Sequence, residues 1–253
     1  MEKNLELESP LSNDWKDLYS SKTNCTTYFE KYVLSQLKNP LILCLDRLDR
    51  IFPYQEVAVG FLELLRVWYE KAQDSPIWQK LRLVLSYSSE VYIQLDNKSS
   101  PFNVGFLIKL PEFTQAQVQQ LARLHKVNLT ESEIQLLMEL ENGHPYLVEQ
   151  ALSHLKIEES SSLEEILQIA ATEAGIYCDH LRYLLSLISE RPKLLEAYRK
   201  IIAATNPIRL NSFQTYQLHS IGLVYIERDG CCRPFCNLYR QYFIEQINLL
   251  NSN

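Results

Sequence analysis

The chain has 253 residues, 46% of them hydrophobic, with a formal net charge of −6, so it is long and apolar enough to bury one large core or two modest ones. No apolar run approaches the roughly 20 residues that a membrane-spanning helix needs, and the acidic start Met1–Asn4 is not a secretory signal, so we expect a cytoplasmic protein. Six cysteines in a chain of this size do not indicate a disulfide framework, and we expect buried free thiols, including Cys44.

Residues 1 to about 73 are predicted to form an N-terminal arm, a helix, a strand and a second helix. Residues 1–25 are polar and lack periodicity, which predicts a loose arm ahead of a helix near Thr26–Leu37. The apolar run Leu41–Leu45 predicts a strand. Hydrophobic residues at helical spacing from Val59 to about residue 73 predict a helix after it.

Two further strands are predicted in the first half of the chain. Leu81–Ser86 is a short apolar run, and Phe106–Leu110 is another, closed by Pro111. Strands that alternate with helices predict a parallel sheet.

From Thr114 the sequence is helical in character. Capping boxes begin at Thr114 and Thr130, and Gly143 followed by Pro145 predicts the end of one helix and the start of the next. Helices are predicted to continue to about Ala204, which indicates a helical lid or bundle after the sheet.

The last segment differs in charge and pattern. Residues 191–253 contain eight Lys/Arg and four Asp/Glu, a charge of +4, whereas residues 1–190 sum to −10. A helix at 192–204, a short helix at 211–219 and the hairpin turn signal Asp229-Gly230 predict a winged helix-turn-helix.

The candidate recognition helix, residues 211–220, contains no Lys or Arg for DNA phosphates. Gln214 and Gln217 could read adenine edges. Three arginines nearby could contact a DNA backbone, and they equally suit an interface with the acidic part of the chain, which we favour: Arg209, Arg228 and Arg233.

Asp46 ends the first strand, where a nucleoside triphosphatase holds its magnesium ion. The next position, where a base would polarise water, carries Arg47, which cannot accept a proton. Asp49 and Glu56 would need a different geometry to replace that base. The alternative is a salt-bridged strand end over residues 46–50.

The pattern G-x-x-x-x-G-K-[ST] of a phosphate-binding loop does not occur, and the first glycine, Gly60, follows the strand. We therefore expect no cofactor for the isolated chain, and ATP with Mg²⁺ only if another polypeptide completes the site.

Other candidate site residues have ordinary alternatives. Ser86 and Ser88 follow the second strand, where a polar side chain could sense a terminal phosphate, but serines there are also common turn formers. His144 could touch a nucleotide, yet a His before proline is more often a helix cap. Cys231, Cys232 and Cys236 lack the C-x2-C pairs of a zinc site and are interpreted as packing residues.

Several segments together resemble a bacterial AAA-like domain family, related to the signal-transduction triphosphatases of the STAND class. The segments that carry the resemblance are Leu41–Asp46, Phe61–Trp68, Leu81–Ser86, Ser100–Gly105, Leu110–Phe113, Gly143–Leu147, Glu173–Tyr177 and Leu218–Val224. The resemblance covers about residues 15–247.

The resemblance implies an α/β fold followed by helices: an incomplete parallel P-loop-type sheet, a helical lid and a C-terminal winged helix. The implied parts are an N-terminal arm 1–25, a partial ATPase core 26–112, a lid 113–190 and a winged-helix-like domain 191–253. It implies Asp46 as the metal-side acid, Ser86 or Ser88 as the sensor, and Gly143-His144-Pro145 as a lid motif facing the base. The family's phosphate-binding loop lies upstream of where this chain starts.

Three functions are compatible with these residues. The first is a non-catalytic regulatory or scaffolding module in signal transduction, which acts through protein contacts. The second is an ATP-binding half completed in trans, and the third is a winged-helix DNA-binding regulator. Without the phosphate-loop strand, Leu41–Leu45 lacks a neighbour on one side, so we expect a protein partner or self-association at that edge.

Overall fold

The computed structural model describes residues 15–87, 101–158 and 162–250. The chain divides into two compact units, Met1–Ile108 and Lys109–Asn253. The finer division into four parts stays a prediction. Among the described residues, none of the helices combines the length and apolar character needed to cross a bilayer.

The first unit alternates helical and extended segments. Its elements are α1 (Ser21–Tyr28), a π-helical continuation (Phe29–Leu34), β1 (Leu41–Leu45), a 3-10 helix (Leu48–Ile51), α2 (Gln55–Asp74), a 3-10 helix (Trp78–Lys80), β2 (Leu81–Leu85) and a 3-10 helix (Pro101–Asn103).

The first helix begins earlier than the sequence pattern predicts. The Ser20 side chain accepts a hydrogen bond of 3.2 Å from the Thr23 backbone N–H and caps α1, so the predicted arm of residues 1–25 is wrong for its last five residues. The polar composition of residues 21–25 conceals a helix that starts at its cap.

The two strands of the first unit run parallel, as predicted, with Leu41 opposite Leu81 and Leu45 opposite Leu85. One face of this sheet packs on a core that includes Leu62 and Trp68 of α2, the helix that connects the strands. The other face is open: its exposed apolar members are Ile42, Cys44 and Val84. The expectation of a buried thiol at Cys44 is therefore wrong, because strand alternation directs it to the uncovered face.

The third predicted strand, Phe106–Leu110, is also wrong. These residues belong to no strand in the structure, and the side chains of Phe106 and Leu110 are 90% and 88% exposed. Their composition favours a strand, but a strand forms only where a neighbour accepts its backbone hydrogen bonds.

The second unit is mainly helical. Its elements are α3 (Gln115–His125), α4 (Glu131–Glu141), α5 (Pro145–Ile157), α6 (Leu163–Ile169), α7 (Cys178–Ser189), α8 (Pro192–Ala203), α9 (Ser212–Ser220), β3 (Val224–Ile226), β4 (Cys232–Pro234) and α10 (Asn237–Leu250).

Helix capping accounts for several of these boundaries. The predicted capping boxes at Thr114 and Thr130 are both present, and Ser162 forms a third with Glu165. Helix α5 starts with Pro145 at its first turn, as predicted. Local hydrogen bonds between a side chain and the next turn therefore fix where these helices begin.

One hydrophobic core extends through the second unit from Val118 to Ile247. The predicted hairpin is present: β3 pairs antiparallel with β4, and Ile208 adds a single bridge to Cys232. Gly230 has φ +81°, the backbone conformation that its turn requires.

Candidate functional site

Asp46 and Ser86 lie side by side at the carboxyl end of the parallel strand pair. Asp46 follows β1 directly and Ser86 follows β2, and the Ser86 hydroxyl donates a hydrogen bond of 2.7 Å to Asp46 Oδ1. The structure thus joins the predicted metal-side acid to the predicted sensor serine. The other predicted sensor, Ser88, lies outside the described residues.

The backbone around this pair is held by two hydrogen bonds that continue the sheet ladder. The Ser86 N–H donates to the Leu45 carbonyl over 2.9 Å, and the Leu48 N–H donates to the Ser86 carbonyl over 2.9 Å. The Leu48 side chain is buried in the core of the first unit, with Leu62 and Trp68. The chain therefore presents the exposed Asp46 carboxylate from a fixed turn.

Arg47 occupies the position after the strand acid in a left-handed conformation, with φ 54° and ψ 47°. Among the described non-glycine residues, Lys126 and Asn142 also have positive φ, but both are helix C-caps, where this conformation is common. Arg47 instead joins β1 to the following 3-10 helix, and it is exposed. A guanidinium, which cannot act as a base, therefore stands next to Asp46.

The oxygen donors at the strand ends are of the type that Mg²⁺ prefers, but they are few. Asp46 supplies one carboxylate and Ser86 one hydroxyl, whereas Mg²⁺ takes about six oxygen ligands, several of them from water or nucleotide phosphates. In the described part of the chain, no group of three or more His, Cys, Asp or Glu is arranged to hold a metal. Asp46 could thus contribute to a magnesium site only with a nucleotide that other residues bind.

An aromatic cluster that sequence reasoning missed follows the second strand. The ring of Phe102 packs edge-on against Tyr87, with centroids 4.9 Å apart, and against Phe52 at 6.3 Å. Arg66 of α2 donates a hydrogen bond of 3.0 Å to the Asn103 side chain beside it. The only sequence signal was the presence of Phe102 in one of the segments that resemble the family.

The segment Gly143-His144-Pro145 lies in the second unit, between α4 and α5. Gly143 has φ +70°, and a Cβ there would overlap the Phe113 carbonyl, while the Phe113 N–H donates to the Gly143 carbonyl over 2.8 Å. His144 Nδ1 accepts a hydrogen bond of 3.2 Å from the Tyr146 N–H and caps α5. In this unit the motif thus shapes a helix junction.

A cluster of imidazole and phenol rings surrounds that junction. His144 lies 6.0 Å from His180 between ring centroids, and His180 Nε2 shares a hydrogen bond of 2.7 Å with the Tyr239 hydroxyl. Burial lowers the pKa of His144, and burial followed by the neighbouring His144 lowers the pKa of His180 to about 4. Both rings are therefore neutral at pH 7 and act as packing and hydrogen-bonding groups.

Glu141, at the end of α4, is a fully buried acid that sequence reasoning did not single out. Its Oε1 accepts a hydrogen bond from the Tyr177 hydroxyl, and its Oε2 has no partner in the structure. Burial raises the pKa of Glu141 to about 8. At neutral pH the protonated form therefore predominates, which avoids a buried charge.

The six cysteines are free thiols. Cys232 and Cys236 are buried, and Cys231 is partly buried, in agreement with their interpretation as packing residues. Burial raises the pKa of the Cys236 thiol to about 12, so it stays protonated.

The strand pair, with its strand-end acid and serine, fits a P-loop-like α/β module. The chain belongs to the AAA-like domain family, whose model matches residues 1–245. Its structure is similar to that of the Walker-type ATPase PABY2304 of Pyrococcus abyssi, with a TM-score of 0.63 and 14% identity over 96% of this chain and 74% of that protein. At this identity the likeness defines the fold alone. A comparison with curated proteins found no match.

Proposed function

We propose that this chain is a regulatory or scaffolding AAA-like module of signal transduction, a degenerate nucleotide switch that acts in the cytoplasm through protein contacts. The chain by itself does not hydrolyse ATP. The observation that carries this proposal is Arg47: a cationic side chain that cannot accept a proton follows Asp46 in a fixed left-handed turn.

Family membership and fold support the origin of the module as a nucleotide switch. The same proposal includes three finer points: the module is related to the STAND class, its C-terminal end is a winged helix, and its helical lid once responded to nucleotide. The helix–hairpin order of α9, β3 and β4 is consistent with a winged helix.

The absence of a phosphate-binding loop pattern from this sequence also supports the proposal. None of the six glycines begins the pattern G-x-x-x-x-G-K-[ST], so the backbone amides and the lysine that normally hold the phosphates are not supplied by these residues. Asp46 alone binds a hydrated magnesium ion weakly, because Mg²⁺ sites of this type rely on substrate phosphates.

One observation favours a second function, an ATP-binding half completed in trans by a polypeptide with a phosphate-binding loop. The Asp46–Ser86 pair keeps the acid and the polar sensor in contact. In such a complex Asp46 would hold the magnesium ion, and Ser86 or Ser88 would face the terminal phosphate.

DNA binding has less support. Gln214 of α9 already donates a hydrogen bond of 3.1 Å to the Lys193 carbonyl, and α9 has no Lys or Arg for phosphates. A function through protein contacts has more support, because apolar side chains on the open sheet face are well exposed, at 63% for Ile42 and 51% for Val84.

Calorimetric titration with Mg-ATP, sensitive to dissociation constants up to about 1 mM, tests the proposal together with a phosphate-release assay. We expect neither saturable heat nor release above that of an Asp46→Asn control. Saturable binding that Asp46→Asn weakens would favour the ATP-binding half. Hydrolysis that Asp46→Asn abolishes would overturn the non-catalytic function.

A further inference from the structure

The segment Phe106–Leu110 exposes more apolar surface than any stretch of its length in the described part of the chain. Its four large apolar side chains are exposed by 90%, 62%, 69% and 88%: Phe106, Leu107, Ile108 and Leu110. Soluble proteins rarely leave such a contiguous patch uncovered unless it is an interaction site.

The sequence of this segment suits a strand. Aromatic and β-branched residues favour extended backbone, and side chains alternate, with Phe106, Ile108 and Leu110 on one side and Leu107 and Lys109 on the other. Its five residues match the length of β1 (Leu41–Leu45) and of β2 (Leu81–Leu85). Among the residues that the structure describes, no strand lies beside it.

The same chain carries a sheet that can receive a strand. Within the described residues β1 and β2 pair only with each other, so each has one edge without a neighbour. A parallel sheet of two strands is smaller than α/β domains normally have, and such sheets are normally covered on both faces.

We propose that Phe106–Leu110 of one copy adds as a strand to the free edge of β1 in a second copy, and that the exchange is reciprocal in a dimer. This rests on the protein-contact function proposed above and names its surface. Phe106, Ile108 and Leu110 continue the core-facing row of β1, and Leu107 and Lys109 join the open face beside Cys44. This register keeps the Lys109 ammonium in water.

The apolar area that this pairing would bury supports a second copy of the chain as the partner. Each large apolar side chain contributes roughly 60–120 Å² of apolar surface, and the four on each segment are mostly exposed. Two reciprocal contacts, counting both surfaces of each, bury on the order of 1,000 Å², about what a specific interface needs. Each copy carries both the segment Phe106–Leu110 and the free edge of β1. Two copies related by a two-fold axis can therefore pair both segments with both edges in a closed dimer.

Sedimentation equilibrium of the full chain over micromolar concentrations tests the proposal without nucleotide. We expect a dimer, and at least a tenfold weaker dimer for the double variant Phe106→Lys, Ile108→Lys. The matched control replaces two isolated exposed side chains, Leu124→Lys with Ile157→Lys (71% and 80% exposed), and should stay dimeric. A monomeric parent chain, or a lysine variant that dimerises as tightly as the parent chain, would overturn the proposal.

Crosslinking tests the register independently of stability. With oxidised glutathione, Lys109→Cys should form a covalent dimer through Cys44 of the second copy, because facing residues on adjacent strands lie within disulfide reach. The dimer band should be absent from Lys109→Cys with Cys44→Ser and from Lys156→Cys, an exposed lysine elsewhere. A covalent dimer that persists without Cys44 would exclude this register. Because no arm uses nucleotide, a failure here is distinguishable from a failure of the proposed function, which the nucleotide titration tests separately.

Discussion

The Ser86 hydroxyl donates a hydrogen bond of 2.7 Å to the Asp46 carboxylate, which joins the ends of two parallel strands that are 40 positions apart in sequence. Together with the backbone bonds between Ser86, Leu45 and Leu48, this contact fixes the turn that presents Asp46 and Arg47. The pair has a structural role whether or not nucleotide ever binds there.

Ser86→Ala should therefore lower the free energy of unfolding of the first unit by about 0.5–1 kcal/mol, the low range for a hydrogen bond because both side chains are exposed. Urea unfolding followed by tryptophan fluorescence reports this unit, because Trp15, Trp68 and Trp78 all lie in it. A double-mutant cycle with Asp46→Ala should show coupling between the two positions. Additive effects would mean that the contact contributes nothing in solution.

Gly60→Ala should stabilise the first unit by about 0.5–1 kcal/mol, because glycine inside a helix costs conformational entropy. Gly60 lies within α2, and a Cβ there would meet no atom within 4 Å. The measurement is the same fluorescence-detected urea transition. A lower midpoint would show that the open space beside Gly60 is filled in solution, for example by another molecule.

Gly143→Ala should destabilise the second unit by more than about 2 kcal/mol. Its Cβ would overlap the Phe113 carbonyl, and its φ of +70° is strained for alanine. The control is Gly222→Ala, since Gly222 has φ +85° with nothing within 4 Å of its Cβ, so only the backbone strain of about 1–2 kcal/mol applies. Tryptophan fluorescence follows unfolding of the first unit, and far-UV circular dichroism also detects loss of the helices of the second unit, so the two signals together show which unit is destabilised. Equal losses for the two variants would argue against the steric contact.

The stability of the second unit should fall as pH rises from 7 to 8. Burial raises the pKa of Glu141 from 4.5 to about 8, so between these values the folded chain keeps a proton that the unfolded chain has released. The slope is at most about 1.4 kcal/mol per pH unit. Between pH 7 and 8 His144 and His180 are neutral in the folded chain and mostly neutral in the unfolded chain, and what remains of their titration raises stability with pH, so a fall in stability in this window reports Glu141.

Glu141→Gln supplies the control for that prediction, because the amide oxygen still accepts the Tyr177 hydrogen bond and the side chain does not titrate. The pH slope between 7 and 8 in parallel urea titrations should disappear in this variant. An unchanged slope would assign the pH dependence to another group.

The lowered pKa of His180 predicts the opposite pH dependence of stability in the acid range. Burial, followed by the neighbouring His144, lowers the pKa of His180 from 6.5 to about 4, so its contribution to stability is lost as pH falls from 6.5 towards 4. His180→Phe should flatten thermal stability over this range. It should also cost about 1–3 kcal/mol at pH 7, because the buried Tyr239 hydroxyl loses its partner. A variant as acid-sensitive as the parent chain would exclude His180 as the titrating group.

Signals that act within a few residues predicted much of the fold correctly. The capping boxes at Thr114 and Thr130, the Pro145 helix start and the β3–β4 hairpin all appear as predicted. Each depends on hydrogen bonds or dihedral angles that a short stretch of chain decides by itself.

Predictions that depended on distant neighbours were less reliable. Phe106–Leu110 has the composition of a strand but is exposed and unpaired. Cys44 was expected to be buried because it lies in an apolar run, yet it faces the uncovered side of the sheet. Burial is decided by what packs on a face, which composition does not reveal.

The sequence by itself determined the helix starts at Thr114, Thr130 and Pro145 and the guanidinium that follows Asp46, because these are properties of adjacent residues. Only the tertiary structure decided that Ser86 meets Asp46 and that Glu141 is buried against Tyr177. Such contacts join positions 36 to 40 residues apart, and they form only when whole elements pack, since the entropy of closing such loops must be offset by the burial of many side chains together.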